Sequence, residues 1–107
     1  MRTVEQLCVE IRCSRGDLIA WVEQRWIKPV RQGDEILFDE ADAARARLID
    51  ELRRDLSIDD EAMPVVLGLL DQLYHARRTL AALWEALDEV APEAKPALAR
   101  RLTDRPA

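Results

Sequence analysis

The sequence predicts a mainly α-helical protein: a head with a helix-turn-helix and a small β-hairpin, followed by a long C-terminal dimerisation helix. Three observations carry this. Only 3 Gly and 5 Pro in 107 residues leave little turn material for an all-β fold, while Leu, Ala, Arg, Asp and Glu supply helix formers. Near the N-terminus, two capped apolar stripes stand a short turn apart. From Ala62 to Val90, apolar residues recur at alternating spacings of four and three.

Thr3-Val4-Glu5-Gln6 fits a capping box, with Thr3 as N-cap. Val4, Leu7, Cys8 and Ile11 then form one helical face, giving a short helix from Val4 to about Arg12. Ser14-Arg15-Gly16-Asp17 repeats the box, and Leu18, Ile19 and Val22, with Trp21 beside them, carry a second helix to about Arg25. Pro29 stops any continuation. Ile27 to Val30 and Ile36 to Phe38 read as hairpin strands with Gly33 in the tip. Asp39 caps a third helix with Asp42 three residues on, its apolar side being Ala43, Ala46, Leu48, Ile49 and Leu52, ending near Leu56.

Ser57 to Glu61 opens the long element, with Pro64 in its first turn, where a missing amide hydrogen costs little. Ala62, Val66, Leu69, Leu73, Ala76, Leu80, Leu83, Leu87 and Val90 follow as a heptad seam. As a helix the seam spans roughly 43 Å, too long for so small a head to cover. Met63, Leu67, Leu70 and Tyr74 form a second strip, expected to face the head. The later seam (Leu69, Leu73, Ala76, Leu80, Leu83, Leu87 and Val90) is expected to face a second subunit. Pro92 and Pro96 end the rod, Ala97 to Leu102 suggests a tail helix, and the closing TDRPA is expected to fray. The organisation is a head over 1–56, a dimerisation helix over 57–91 and a short tail over 92–107.

The net charge of −5 argues against duplex DNA as the main partner. No run approaches the roughly 18 apolar residues of a membrane helix, and the N-terminal MRTVEQLCVEIRC has acids within it and no signal-peptide core. The expected location is the cytoplasm. Cys8 and Cys13, about 140° apart around a helix, read as reduced thiols used as small apolar residues. His75, the single histidine, stands off the seam at a solvated position. Gly16, Gly33 and Gly68 are isolated and make no phosphate loop. No catalytic set, metal site or cofactor site emerges, and the protein is expected not to be an enzyme.

A DNA-reading helix presents cations and amides to base edges. Ser14 to Arg25 offers Arg15 and Arg25 against Asp17 and Glu23, with Gly16, Ala20 and Gln24 outward. Gly16 also costs this helix about 1 kcal/mol relative to alanine. The hairpin and the next helix start carry Asp34, Glu35, Asp39, Glu40 and Asp42, which phosphate would repel. Those acids serve either solvation and capping or the docking of a basic partner.

The run TVEQLCVEIRCSRGDL…WIKP…ILFDEADAARARLIDEL resembles the MerR group in its capped helix, turn, capped helix, apolar-Pro step and aromatic-ended strand before an acidic cap. MerR regulators usually carry basic and aromatic residues where this chain has Arg15-Gly16-Asp17-Leu18-Ile19-Ala20, and metal-sensing members carry cysteines near the dimer helix, where this rod has none. Over roughly residues 3 to 90 the chain looks more like CbpM, the chaperone-modulator family of MerR-like ancestry. The carrying segment is the junction DLSIDDEAMPVVLGLLDQLY, Asp55 to Tyr74.

The CbpM resemblance implies a non-catalytic homodimer that binds the J-domain of a CbpA- or DnaJ-like co-chaperone and inhibits it. Asp34, Glu35, Asp39, Glu40, Asp42, Asp59, Asp60 and Glu61 are the expected docking acids. The alternative is a MerR-like DNA-binding regulator using Arg12, Arg15, Lys28 and Arg31, and a bare dimerisation adaptor is a third class.

Overall fold

The computed structural model describes residues 1–104. Along them run helices α1 (Val4–Ile11) and α2 (Arg15–Glu23), strands β1 (Val30–Gln32) and β2 (Glu35–Leu37), helices α3 (Glu40–Arg54) and α4 (Met63–Val90), a 3₁₀ turn (Pro92–Ala94) and helix α5 (Lys95–Thr103). This is the mainly α class with one two-stranded hairpin that the sequence predicts. The expected frayed end falls largely outside the described residues; Thr103, its first residue, still belongs to α5. The chain divides into two compact units, Met1–Leu67 and the remainder from Gly68.

In the first unit the Thr3 box closes in both directions. Gln6 N–H donates to Thr3 Oγ1 at 3.2 Å and Thr3 N–H to Gln6 Oε1 at 2.9 Å. Val4, Leu7 and Ile11 are buried. Arg12 then adopts the left-handed region at φ 58, and Cys13 N–H donates to Cys8 C=O at 3.1 Å. This is the closure in which the residue after a left-handed one returns to the helix and packs on its last full turn.

The Ser14 box closes in one direction only. Asp17 N–H donates to Ser14 Oγ at 3.0 Å, while the Asp17 carboxylate lies 3.5 Å from Arg53. Leu18 and Trp21 are the buried pair of α2, so Trp21 takes the core place expected of Ile19 and Val22. The helix stops short of Arg25 because Arg25 is left-handed at φ 62. Trp26 N–H returns to Trp21 C=O at 3.0 Å, with both indoles buried.

The hairpin pairs Val30 with Leu37, Arg31 with Ile36 and Gln32 with Glu35. Its two-residue turn is Gly33-Asp34, and Gly33 supplies the positive φ of 63 that such a turn needs. The first strand starts later than Ile27, which is buried; Pro29, just before Val30, lacks the N–H a ladder needs. Arg2 also pairs with Phe38, each N–H donating to the other's C=O at 2.8 Å.

Asp39 and Asp42 form a complete box at the start of α3, which buries Ala43, Ala46, Ile49 and Leu52. Leu48 is only half-buried and Leu56 is exposed beyond the helix end. Ser57, left-handed at φ 54, turns the chain, and Asp59 Oδ1 accepts from Ala62 N–H at 2.8 Å at the entry to α4. Met63 and Leu67 complete the core of this unit, at 0% and 2% exposure. Of the strip expected to continue from them, Leu70 is half-buried and Tyr74 is exposed.

The second unit holds the rest of α4, the 3₁₀ turn and α5. Leu69, Leu73, Ala76, Leu80, Leu83 and Val90 are exposed, and Leu87 is half-buried. Pro92 and Pro96 each stand in the first turn of a short helix. Lys95 Nζ sits 2.7 Å from Asp88 and 4.7 Å from the Trp84 ring centre. Among the described residues, no helix is long and apolar enough to cross a membrane.

Candidate functional site

Four of the expected docking acids line two grooves. Asp34 in the hairpin turn and Glu35 on β2 line a groove with Thr3, Val4, Glu5, Arg15 and Ile36. Asp59 and Asp60 line another, with Asp17, Asp50, Arg53, Arg54, Ser57 and Ile58. Both grooves mix carboxylates with arginine, and both lie within the first unit.

The remaining acids have local work. Asp39 and Asp42 hold each other's backbone N–H groups at 2.8 and 3.0 Å. The Asp42 backbone N–H holds the Asp39 carboxyl below its ordinary range. Burial pushes the Asp42 carboxyl up, against the opposing pull of the Asp39 backbone N–H. Glu40 pairs with Arg2 at 2.8 Å. Glu61 is exposed and lines neither groove. Asp59 has a double placement, capping α4 while facing the second groove.

That second groove is ordered by Arg53. Its guanidinium lies 3.5 Å from Asp17 and 3.8 Å from Asp60, with its carbon 5.7 Å from the Trp21 ring centre. An arginine over an indole face is attracted to the ring and still keeps its N–H groups for carboxylates.

The candidate DNA contacts fare differently. Arg15, the one cation of α2, pairs with Glu5 on α1. The other exposed positions of that helix are Gly16, Ala20 and Glu23. The Arg12 carbonyl accepts from Arg54 Nη2 at 2.9 Å. Lys28 and Arg31 are exposed. Three more arginines are taken up inside the head: Arg2 and Arg47 both reach Glu10, and Arg45 donates to the Trp26 carbonyl. The Arg2 hydrogen bond holds the Glu10 carboxyl below its ordinary range. This hub joins the N-terminus, α1 and α3, and nothing in residue spacing signals it.

Sequence spacing also misplaces the cysteines. A straight helix would set Cys8 and Cys13 well apart around its axis. The left-handed Arg12 ends the helix between them, and their sulfurs stand 3.9 Å apart, the Cys13 thiol donating to Cys8 Sγ. Burial above all, and then the neighbouring Cys8, push the Cys13 thiol up to about 12. His75 is exposed on α4. Among the described residues, no group of three or more His, Cys, Asp or Glu side chains is arranged to hold a metal ion.

Residues 2–84 match a family model described as MerR HTH family regulatory protein. No curated protein matches the chain, and no solved structure does.

Proposed function

Since the chain belongs to the MerR HTH regulatory family, which its residues 2–84 match, we propose that it uses the scaffold of that family to bind a protein. The reading is a non-catalytic, cytoplasmic chaperone modulator of the CbpM type. It binds the J-domain of a CbpA- or DnaJ-like co-chaperone and blocks its co-chaperone activity. One observation carries the reading: the only cation of the recognition helix α2 is paired with Glu5, while carboxylates outnumber arginines along two grooves of the head.

Phosphate neutralisation needs cations free to displace counterions. Arg15 would have to leave Glu5 before it could serve. A basic helix, such as the one a J-domain presents to its DnaK-type partner, is attracted by the same carboxylates that repel DNA. Occupying that helix denies it to the DnaK-type ATPase, so inhibition follows from competition and needs no catalysis. The seam residues Leu69, Leu73, Ala76, Leu80, Leu83, Leu87 and Val90 would join two copies, giving two heads per particle.

Calorimetric titration with an isolated J-domain tests the proposal. The expected result is saturable binding near one J-domain per chain. Charge reversal then assigns the groove. D34K with E35K addresses the hairpin groove; D60K addresses the other and leaves the Asp59 cap intact. Asp39 and Asp42 are unsuitable, because reversing them would remove the α3 box. At least one reversal should weaken binding tenfold or more, about 1.4 kcal/mol. Absence of J-domain binding, together with duplex DNA binding that falls when Lys28 and Arg31 become alanine, would establish the DNA-binding regulator instead.

A further inference from the structure

We infer that Cys8 and Cys13 form a dithiol modification site, which a peroxide converts to an intrachain disulfide across the end of α1. The inference rests on backbone geometry. Cys8 lies in the last full turn of the helix and Cys13 is the first residue after the left-handed Arg12. Cys13 N–H is bonded to Cys8 C=O, so the ring that brings the two side chains together is closed before any sulfur reacts. At this pair of positions helix ends usually place an apolar contact; here two sulfurs occupy it, 3.9 Å apart. Bond formation asks them to close to about 2.05 Å.

The two sulfurs have distinct parts. Both cysteines are half-buried, so a molecule as small as hydrogen peroxide can reach them. The Cys13 thiol stays protonated at neutral pH and donates toward Cys8 Sγ. Reaction therefore starts at Cys8. Its thiolate attacks one peroxide oxygen, the O–O bond breaks, hydroxide leaves, and Cys8 becomes a sulfenic acid. Cys13 sulfur then attacks the Cys8 sulfur, the S–O bond breaks, and the Cys13 proton leaves with the hydroxyl as water. Overall two thiols and one hydrogen peroxide give one disulfide and two waters; sulfur is oxidised and the peroxide oxygens are reduced.

The site stands at the turn between α1 and α2, next to Ser14, the N-cap of α2. It also stands close enough to Asp50 and Asp17 for their charge to raise the Cys13 thiol. Those two carboxylates line the groove that Arg53 orders. A disulfide here would fix the turn of the helix-turn-helix beside that groove.

The test treats the pre-reduced full-length protein with hydrogen peroxide at pH 7. Iodoacetamide then blocks any remaining thiols, and intact mass and peptide mapping read the product. The expected product is a single chain lighter by two hydrogens, with no alkylation and a Cys8–Cys13 cross-link. Reduction should restore two alkylatable thiols. In Cys13→Ser, Cys8 should pass to the sulfinic acid, which reduction does not reverse. In Cys8→Ser, the remaining thiol should be lost at least tenfold more slowly than thiols in the wild type. Sulfinic acid in the wild type without the cross-link, or a link only between chains, would overturn the inference. Loss of the Cys13 thiol at the wild-type rate in Cys8→Ser would overturn the assignment of Cys8 as the sulfur that reacts first. Should either serine variant fail to fold by circular dichroism, the wild-type cross-link map decides alone.

Discussion

Replacing Leu67 by alanine removes a side chain that is 2% exposed, whereas the same change at Leu80, on the same helix, removes one that is 64% exposed. At Leu67 the loss combines the transfer free energy of the deleted carbons with the cavity left among Met63 and the head core, about 3 kcal/mol. Alanine's better helix propensity returns only about 0.2 kcal/mol. For a unit of this size that predicts a melting temperature lower by roughly 12 °C or more. At Leu80 the covered third of the side chain predicts about 1 kcal/mol or less in the isolated chain. Urea denaturation followed by circular dichroism reads both variants, at two protein concentrations. If a second copy covers the seam, the Leu80 variant loses more at the higher concentration, because association stabilises the folded state by mass action. A Leu67→Ala loss below about 1 kcal/mol would refute the assignment of the first turns of α4 to the head core.

Other outcomes follow from features of the same fold. Leu80→Asp places a charge in the exposed seam and should convert a dimer to a monomer by light scattering; an unchanged dimer mass would remove the seam from the interface. Arg25→Gly relieves the left-handed strain at φ 62 and should raise stability by about 0.5–1 kcal/mol after glycine's larger unfolded-state entropy; a lower urea midpoint would show that the arginine side chain matters more than its backbone. Arg2 holds the Glu10 carboxyl below its ordinary value of 4.5. The folded pKa therefore lies below the unfolded one, and Glu10 contributes stability that is present above pH 4.5 and lost as pH falls through the folded value. Glu10→Gln should flatten the decline of melting temperature between neutral and acid pH, and an unchanged slope would place the acid sensitivity elsewhere.

Much of this molecule was legible where local chemistry decides. Thr3 with Gln6 and Asp39 with Asp42 announce helix starts because the donors and acceptors of each box are near neighbours in sequence. Gly33 announces the hairpin tip for the same reason. Ser14 with Asp17 shows the limit: Asp17 also finds Arg53, distant in sequence, and only half the box forms. Helix ends were less legible. Arg12, Arg25 and Ser57 are all left-handed, and none is the glycine that would signal such a position. The first helix does end at about Arg12, but a continuous helix would set Cys8 and Cys13 apart, and α2 ends at Glu23 rather than about Arg25. The acids proposed for docking are visible in the sequence, but the grooves that four of them line and the pairing of Glu40 with Arg2 depend on contacts between distant segments. The place where the long helix stops belonging to the head was also hidden, since Tyr74 continues the spacing of Met63 and Leu67 but is exposed.

The burial of Met63 and Leu67 also bears on how the chain comes into being. A protein emerging from the ribosome N-terminus first offers Val4, Leu7, Trp21, Phe38 and Ile49 to one another before α4 exists. A nascent chain that has emerged only to Leu56 holds the segments that form the hairpin and α1 to α3, yet lacks Met63 and Leu67, which are buried with that core. The head therefore closes late, when the opening turns of the rod become available, and the seam emerges immediately afterwards. Synthesis thus delivers a closed head and the exposed seam of α4 in quick succession, and the interval in which head apolar surface lies bare is set by translation of the few residues between Leu56 and Leu67.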